Sequence, residues 1–224
     1  MLFRSTVSTG TGVVTISQSI FQSLGSINDQ QILDVSLFQN RQKYYGVRWR
    51  EATGLSQLSY NDCYISITGQ VVVICNTLTN GSATTLTVSN DYGKTFNTAL
   101  MTSPSYVWNG ICGSATGHIM YALSSNPKKI AKSTNFGYDF TAMADPFNLD
   151  WTNSVPSFIS CSSDGTFVMI SDQRSGSNGK VYTSGDGGTN WNSYNITSNP
   201  AMAGDSCMSS NGLIRYIIMI EVSG

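Results

Sequence analysis

The side chains able to do chemistry in this chain are few, and most stand apart from one another. Only two glutamates are present, Glu51 and Glu221. Hydrolysis of a glycosidic bond by paired carboxylates needs two of them about 5–10 Å apart. Asp62, Asp145, Asp150, Asp164, Asp172 and Asp205 qualify by type, but nothing in their spacing pairs them. Turn formation accounts for most of these aspartates. His118 follows Gly117 directly, which suits a surface or turn residue better than a general base. The five cysteines lack metal-ligand spacing of the C-x2-C kind, so neither a metal nor a cofactor is expected. Nucleophile elbow, P-loop and dinucleotide fingerprints do not occur.

Recognition chemistry is better supplied. Trp108-Asn109 and Trp151, beside Asp150 and Asn153, recur at nearly equivalent places, and Asp172 and Arg174 begin a loop of the same face. Aromatic rings stack on apolar sugar faces, while amides and charged groups take the hydroxyls. Trp108, Asn109, Trp151, Asp172 and Arg174 are therefore the candidate ligand-binding residues. The competing reading has each Trp packed inside the fold. Tyr44, Tyr45, Arg48, Trp49 and Arg50 form a denser aromatic and cationic cluster, either a partner surface or simple alternation along an edge strand.

The elements that must position these residues are set by repetition. Ser89-Asn90-Asp91-Tyr92-Gly93-Lys94-Thr95-Phe96 is echoed by Ser133-Thr134-Asn135-Phe136-Gly137-Tyr138-Asp139-Phe140 and by Ser184-Gly185-Asp186-Gly187-Gly188-Thr189-Asn190-Trp191. The phrase resembles the Asp-box, or bacterial-neuraminidase repeat, which implies a β-propeller. In such a turn the Asp carboxylate and the Ser hydroxyl bond the backbone. The fifth-position Gly permits positive φ. The closing Phe or Trp is large enough to wedge between sheets, burying about 150–250 Å². These residues read as structural, including Thr95 and the substitutes Asn135 and Asp139. A second phrase, Ser-x-x-Gly, begins at Ser66, Ser114, Ser162 and Ser209, about 48 residues apart, near the length of a four-stranded blade. β-branched and aromatic runs such as Val71–Ile74, Phe167–Ile170 and Tyr216–Ile220 flank it as strands.

The expectation is an all-β chain: one propeller domain, 1–224, of about five four-stranded blades. Four or six blades also fit, because the blade assigned to 17–58 matches the repeat poorly. Leu2–Gly10 reads as a degenerate third strand and box. N- and C-terminal strands would then share a blade and close the ring, which removes exposed sheet edges. Cys112, Cys161 and Cys207 fall near one place in three repeats, as expected of small buried thiols on inner strands. Nothing in the spacing requires a Cys63–Cys75 disulfide.

A net charge of −1 offers no basic face for nucleic acid. No stretch approaches the roughly 20 apolar residues of a membrane span, so no insertion is expected. The N-terminus shows no apolar signal-peptide core. Asn80-Gly81-Ser82 and Asn195-Ile196-Thr197 fit the glycosylation sequon.

The resemblance makes sialidase machinery the first enzyme to test: three arginines, a Tyr–Glu pair and an Asp. Here Phe3-Arg4 runs into Ser5-Thr6 where that family carries Phe-Arg-Ile-Pro, and only Glu51 and Glu221 are present to activate a Tyr. The resemblance covers about residues 57–224 and stops short of the catalytic residues. A non-catalytic recognition or assembly module is expected, binding a glycan or protein at an extracellular or virion surface, with room for an oligomer. Sialidase-like hydrolysis and a purely structural capsid or fibre role are the alternatives.

Overall fold

The computed structural model describes residues 55, 59–77, 85–101, 106–143, 154–174, 179–196 and 201–221. The expected blade over 17–58, the strand over 2–10, the aromatic and cationic cluster around Trp49, Glu51, Trp151 and Asn80 lie outside them. The described residues belong to one compact unit, Ala52–Gly224. They form β-strands and turns, with no helix among them.

The first sheet holds β1 (Ser59–Ile65), β2 (Val72–Thr77), β3 (Leu86–Ser89) and β4 (Asn97–Thr98) in that order. β5 (Leu100–Met101) leaves this sheet and joins the outer edge of the second. The second contains β6 (Val107–Gly113), β7 (Met120–Asn126), β8 (Lys128–Ser133) and β9 (Asp139–Ala142). The third runs through β10 (Ser154–Cys161), β11 (Val168–Arg174), β12 (Lys180–Ser184) and β13 (Asn192–Asn195). β14 (Ala201–Met208) and β15 (Arg215–Glu221) pair as a fourth. Sequential strands pair antiparallel throughout; β5 alone is parallel to its neighbour, Leu100 lying opposite Asp139.

The cores sit between sheets rather than within them. Along β7, Met120 and Ala122 face the first sheet, where they pack with Val73, Leu86, Val88, Trp108 and Phe140. Tyr121 and Leu123 face the third, among Ile159, Val168, Ile170 and Tyr182. The period-two alternation of one strand thus feeds two cores. That is why β7 is buried along most of its length, while β13 is exposed along all of it.

The Ser-x-x-Gly phrase is the joint between sheets. In each, the Gly N–H bonds back to the Ser carbonyl at 2.8–2.9 Å. The Ser hydroxyl accepts the N–H of Val71, Ile119, Phe167 or Ile214 at 2.9–3.0 Å. The residue after each Ser then links one sheet to the next. Ile67 N–H donates to the Ala115 carbonyl (2.8 Å), Ala115 to Ser163 (2.7 Å) and Ser163 to Ser210 (2.8 Å). Glycine is required here twice over. Gly165 and Gly212 hold φ of +74° and +69°. A Cβ on Gly165 would also lie 2.9 Å from Ile119 Cγ2, and one on Gly212 2.6 Å from the Phe167 ring. Each glycine receives a side chain from the preceding sheet. Gly69 holds the same φ, +74°, but its nearest neighbour would be 3.9 Å away.

These contacts rank three substitutions. Gly69→Ala carries only the backbone strain, about 1–2 kcal/mol. Gly165→Ala and Gly212→Ala add overpacking and are expected to lose about 2–5 kcal/mol. Urea unfolding of the three variants tests the order.

Candidate functional site

The three Ser-x-(Asp/Asn) turns direct their polar atoms inward to their own backbone. Ser89 Oγ donates to Asp91 Oδ1 (2.8 Å) and accepts the Gly93 N–H (2.9 Å). Asp91 Oδ1 also accepts the N–H groups of Lys94 and Thr95, and Oδ2 the Thr95 hydroxyl, at 2.7–3.0 Å. Asp186 repeats this with Ser184, Gly188, Thr189 and the Asn190 amide. The second turn reverses one polarity: Asn135 Nδ2 donates to Asp139 Oδ2 (2.8 Å), while Asn135 Oδ1 still accepts from Ser133 and the Asp139 N–H.

The fourth position is left-handed as well as the fifth. Tyr92 and Phe136 have φ of +66° and +61°, and Gly187 stands in that place in the third turn. Sequence reasoning assigned positive φ to the fifth position alone. At the fourth, the N–H groups of Tyr92, Phe136 and Gly187 bond the carbonyls of Gln70, His118 and Thr166, which fastens each turn to the Ser-x-x-Gly turn beside it. His118 is exposed and stacks edge-to-face on Phe136 at 5.2 Å. Phe140 and Trp191 enter the two inter-sheet cores, and Phe96 is half-buried.

The Thr95 hydroxyl and N–H, then Ser89, hold the Asp91 carboxyl down at about 2. The Asn190 backbone and side chain, then Ser184, do the same for Asp186, also at about 2. Both carboxylates are fully engaged by their turns.

At the other end of the strands, the candidate ligand residues separate. Trp108 is 0 % exposed, a correction to the ring face offered to a sugar. The bulge between Trp108 and Gly110 accompanies its placement in the core between the first and second sheets, where Tyr106 meets it edge-on at 5.4 Å. Asp172 is likewise 0 % exposed. Its carboxylate accepts the Lys180 N–H and the Tyr182 hydroxyl, pinning the hairpin of its own sheet. Asn76 and Ser124 stand at the same place in the first two sheets and pin theirs to Thr87 and to the Pro127 carbonyl. Arg174 ends β11, and its side chain is outside the described set.

Asn109 bridges two sheets. It is half-buried, its Nδ2 donates across to the Pro156 carbonyl of the third sheet (3.1 Å), and its Oδ1 has no partner. Asn61 makes the equivalent reach to the Trp108 carbonyl (3.4 Å).

Two acids missed as a pair join these amides. Asp62 accepts the N–H groups of Cys63 (2.8 Å) and, on the neighbouring sheet, Ile111 (2.9 Å). Asp205 accepts the Ser206 N–H (2.7 Å). Loss of hydration raises the Asp62 carboxyl; the Ile111 and Cys63 N–H groups oppose that rise, and the charge of Asp205 adds to it. The first and fourth sheets thus each carry one of these acids at the same end of their first strand. The available signal was phase: each lies four residues before its repeat serine, Ser66 or Ser209.

The cysteines divide. All are free thiols; Cys112 is buried, Cys161 half-buried and Cys207 exposed, so the expected burial fails for Cys207, whose sheet has only two described strands. Among the described residues no three His, Cys, Asp or Glu groups converge as for a metal.

No protein-family model matches this sequence, and no curated protein does. Among solved structures, the GH74 enzyme of Niastella koreensis aligns at TM-score 0.56 and 19% identity, over 71% of this chain and 26% of that one. A chain of the nidogen–laminin complex aligns at 0.52 and 16%, over 67% and 53%. TolB of Acinetobacter baumannii aligns at 0.50 and 14%, over 72% and 38%. This chain thus spans about a quarter to a half of the length of those proteins. These neighbours are β-propeller proteins, and at such identities the likeness is one of fold.

Two outcomes follow. Asp91 and Asp186 titrate lower folded than unfolded, so their stabilisation is complete above about pH 4 and is lost as pH falls through about 2. Thermal unfolding between those values should flatten in Asp91→Asn. Trp108→Ala should lower stability by about 3–5 kcal/mol in urea, as a core truncation.

Proposed function

We propose that this chain is a non-catalytic recognition or assembly module, its turns Asp-boxes and its sheets the blades of a ring of about five, closed by its own terminal strands. It works at an extracellular or virion surface and binds a glycan or a protein. The observation that carries this reading is the row of polar side chains at the bulged end of the first strands, Asp62 and Asp205 exposed there and Asn61 and Asn109 reaching across to the next sheet. The exposed carboxylates of Asp62 and Asp205 and the exposed Asn61 amide are groups suited to sugar hydroxyls or to the cationic side chains of a protein. Nidogen with laminin is a precedent for protein recognition on this kind of scaffold.

The same acids favour one second reading. Two carboxylates at one end of the strands, that of Asp62 raised by loss of hydration, are the kind of groups glycoside hydrolysis uses. It is kept as the alternative to recognition.

A glycan array, with a parallel panel of surface-protein ligands, separates the two. Recognition predicts specific binding that falls at least tenfold in the double variant Asp62→Asn, Asp205→Asn, without turnover. Release of chromophore from an aryl glycoside, lost in Asp62→Asn, would overturn it in favour of hydrolysis.

A further inference from the structure

The cysteines left over by this reading are not scattered at random. β6 and β10 are the first strands of adjoining sheets and pack side by side. Their register is fixed where a Cβ on Gly110 would stand 3.2 Å from Ile159 Cγ2. Two residues further along each strand, on the same faces, come Cys112 and Cys161. They share one inter-sheet cluster, Cys161 packing against the buried side chains around Cys112. Cys112 is buried, while Cys161 is reached from solvent.

We propose that Cys112 and Cys161 are a disulfide site, closed by thiol–disulfide exchange with a low-molecular-weight disulfide such as oxidised glutathione. The Cys161 thiolate attacks one sulfur of that disulfide, breaking its S–S bond and releasing one glutathione thiolate, which takes the proton Cys161 has lost. The Cys112 thiolate then attacks the Cys161 sulfur and expels the second glutathione, which takes the Cys112 proton. Two cysteines are oxidised and one glutathione disulfide is reduced to two thiols. Burial raises the Cys112 thiol, so the second step is the slower one. The bond ties the second sheet to the third across a long stretch of chain, restricting the unfolded state. It adds a covalent link where the first strands otherwise meet only by packing and hydrogen bonds. This site is independent of the partner proposed above.

The test is peptide mapping of the full chain after incubation with oxidised or reduced glutathione, alkylation and non-reducing digestion. A linked Cys112–Cys161 peptide should appear only under oxidation. The unfolding midpoint should rise with it in the wild type but not in Cys161→Ser. Cys63→Ser and Cys207→Ser should still give the linked peptide. A standing glutathione adduct on Cys161 with Cys112 free, a pairing of either with another cysteine, or no linkage would overturn the assignment.

Discussion

The backbone hydrogen bond passed from turn to turn, Ile67 to Ala115 to Ser163 to Ser210, fixes how far each sheet stands from the next. It can form only because a glycine in each receiving sheet admits a side chain from the sheet before it. With that spacing set, the middle strands are covered on both faces, and their alternation divides cleanly between two cores. A sheet displaced by one methyl group would strain the hydrogen bonds and the packing together. Stability and arc curvature therefore share one origin. The sheets gain little from their own interiors, since the large apolar side chains lie between them.

The two ends of this arc are chemically unlike. At the end carrying the Asp and Asn turns, carboxylates and hydroxyls are saturated by short local bonds, and little is left to bind anything. The same saturation holds Asp91 and Asp186 ionised down to strongly acid pH. At the other end, bulges interrupt the first strands near Asn61, Trp108, Ser157 and Asp205. A bulge leaves polar groups outside the ladder and re-aims side chains. Amides reach across to the neighbouring sheet there, and the acids Asp62 and Asp205 stand exposed at that end. The proposed recognition site lies at that end.

The repeat in the sequence was enough to read the strands, the turns and their glycines, because those depend on contacts within a few residues. Ser89, Asp91 and Thr95 bond one another regardless of what lies beyond the turn. Trp108 and Asp172 were harder, because burial is decided between sheets. A Trp beside Asn looks the same in sequence whether its ring faces solvent or the next sheet. Asp172 could be placed only by noticing that Asn76 and Ser124 occupy the same phase. Asp62 and Asp205 share a phase too, yet their meeting depends on the curvature of the whole arc, to which no local pattern refers.

That curvature is the central claim, and the carboxyl resonance of Asp62 reports it most directly. Carbon-detected NMR titration of the wild type and of Asp205→Asn would compare its pKa in the two proteins. The account predicts a wild-type value above the ordinary carboxylate range and a downward shift when the Asp205 charge is removed. An ordinary Asp62, unmoved by the substitution, would mean that the first and fourth sheets do not converge, and the proposed recognition site would go with them.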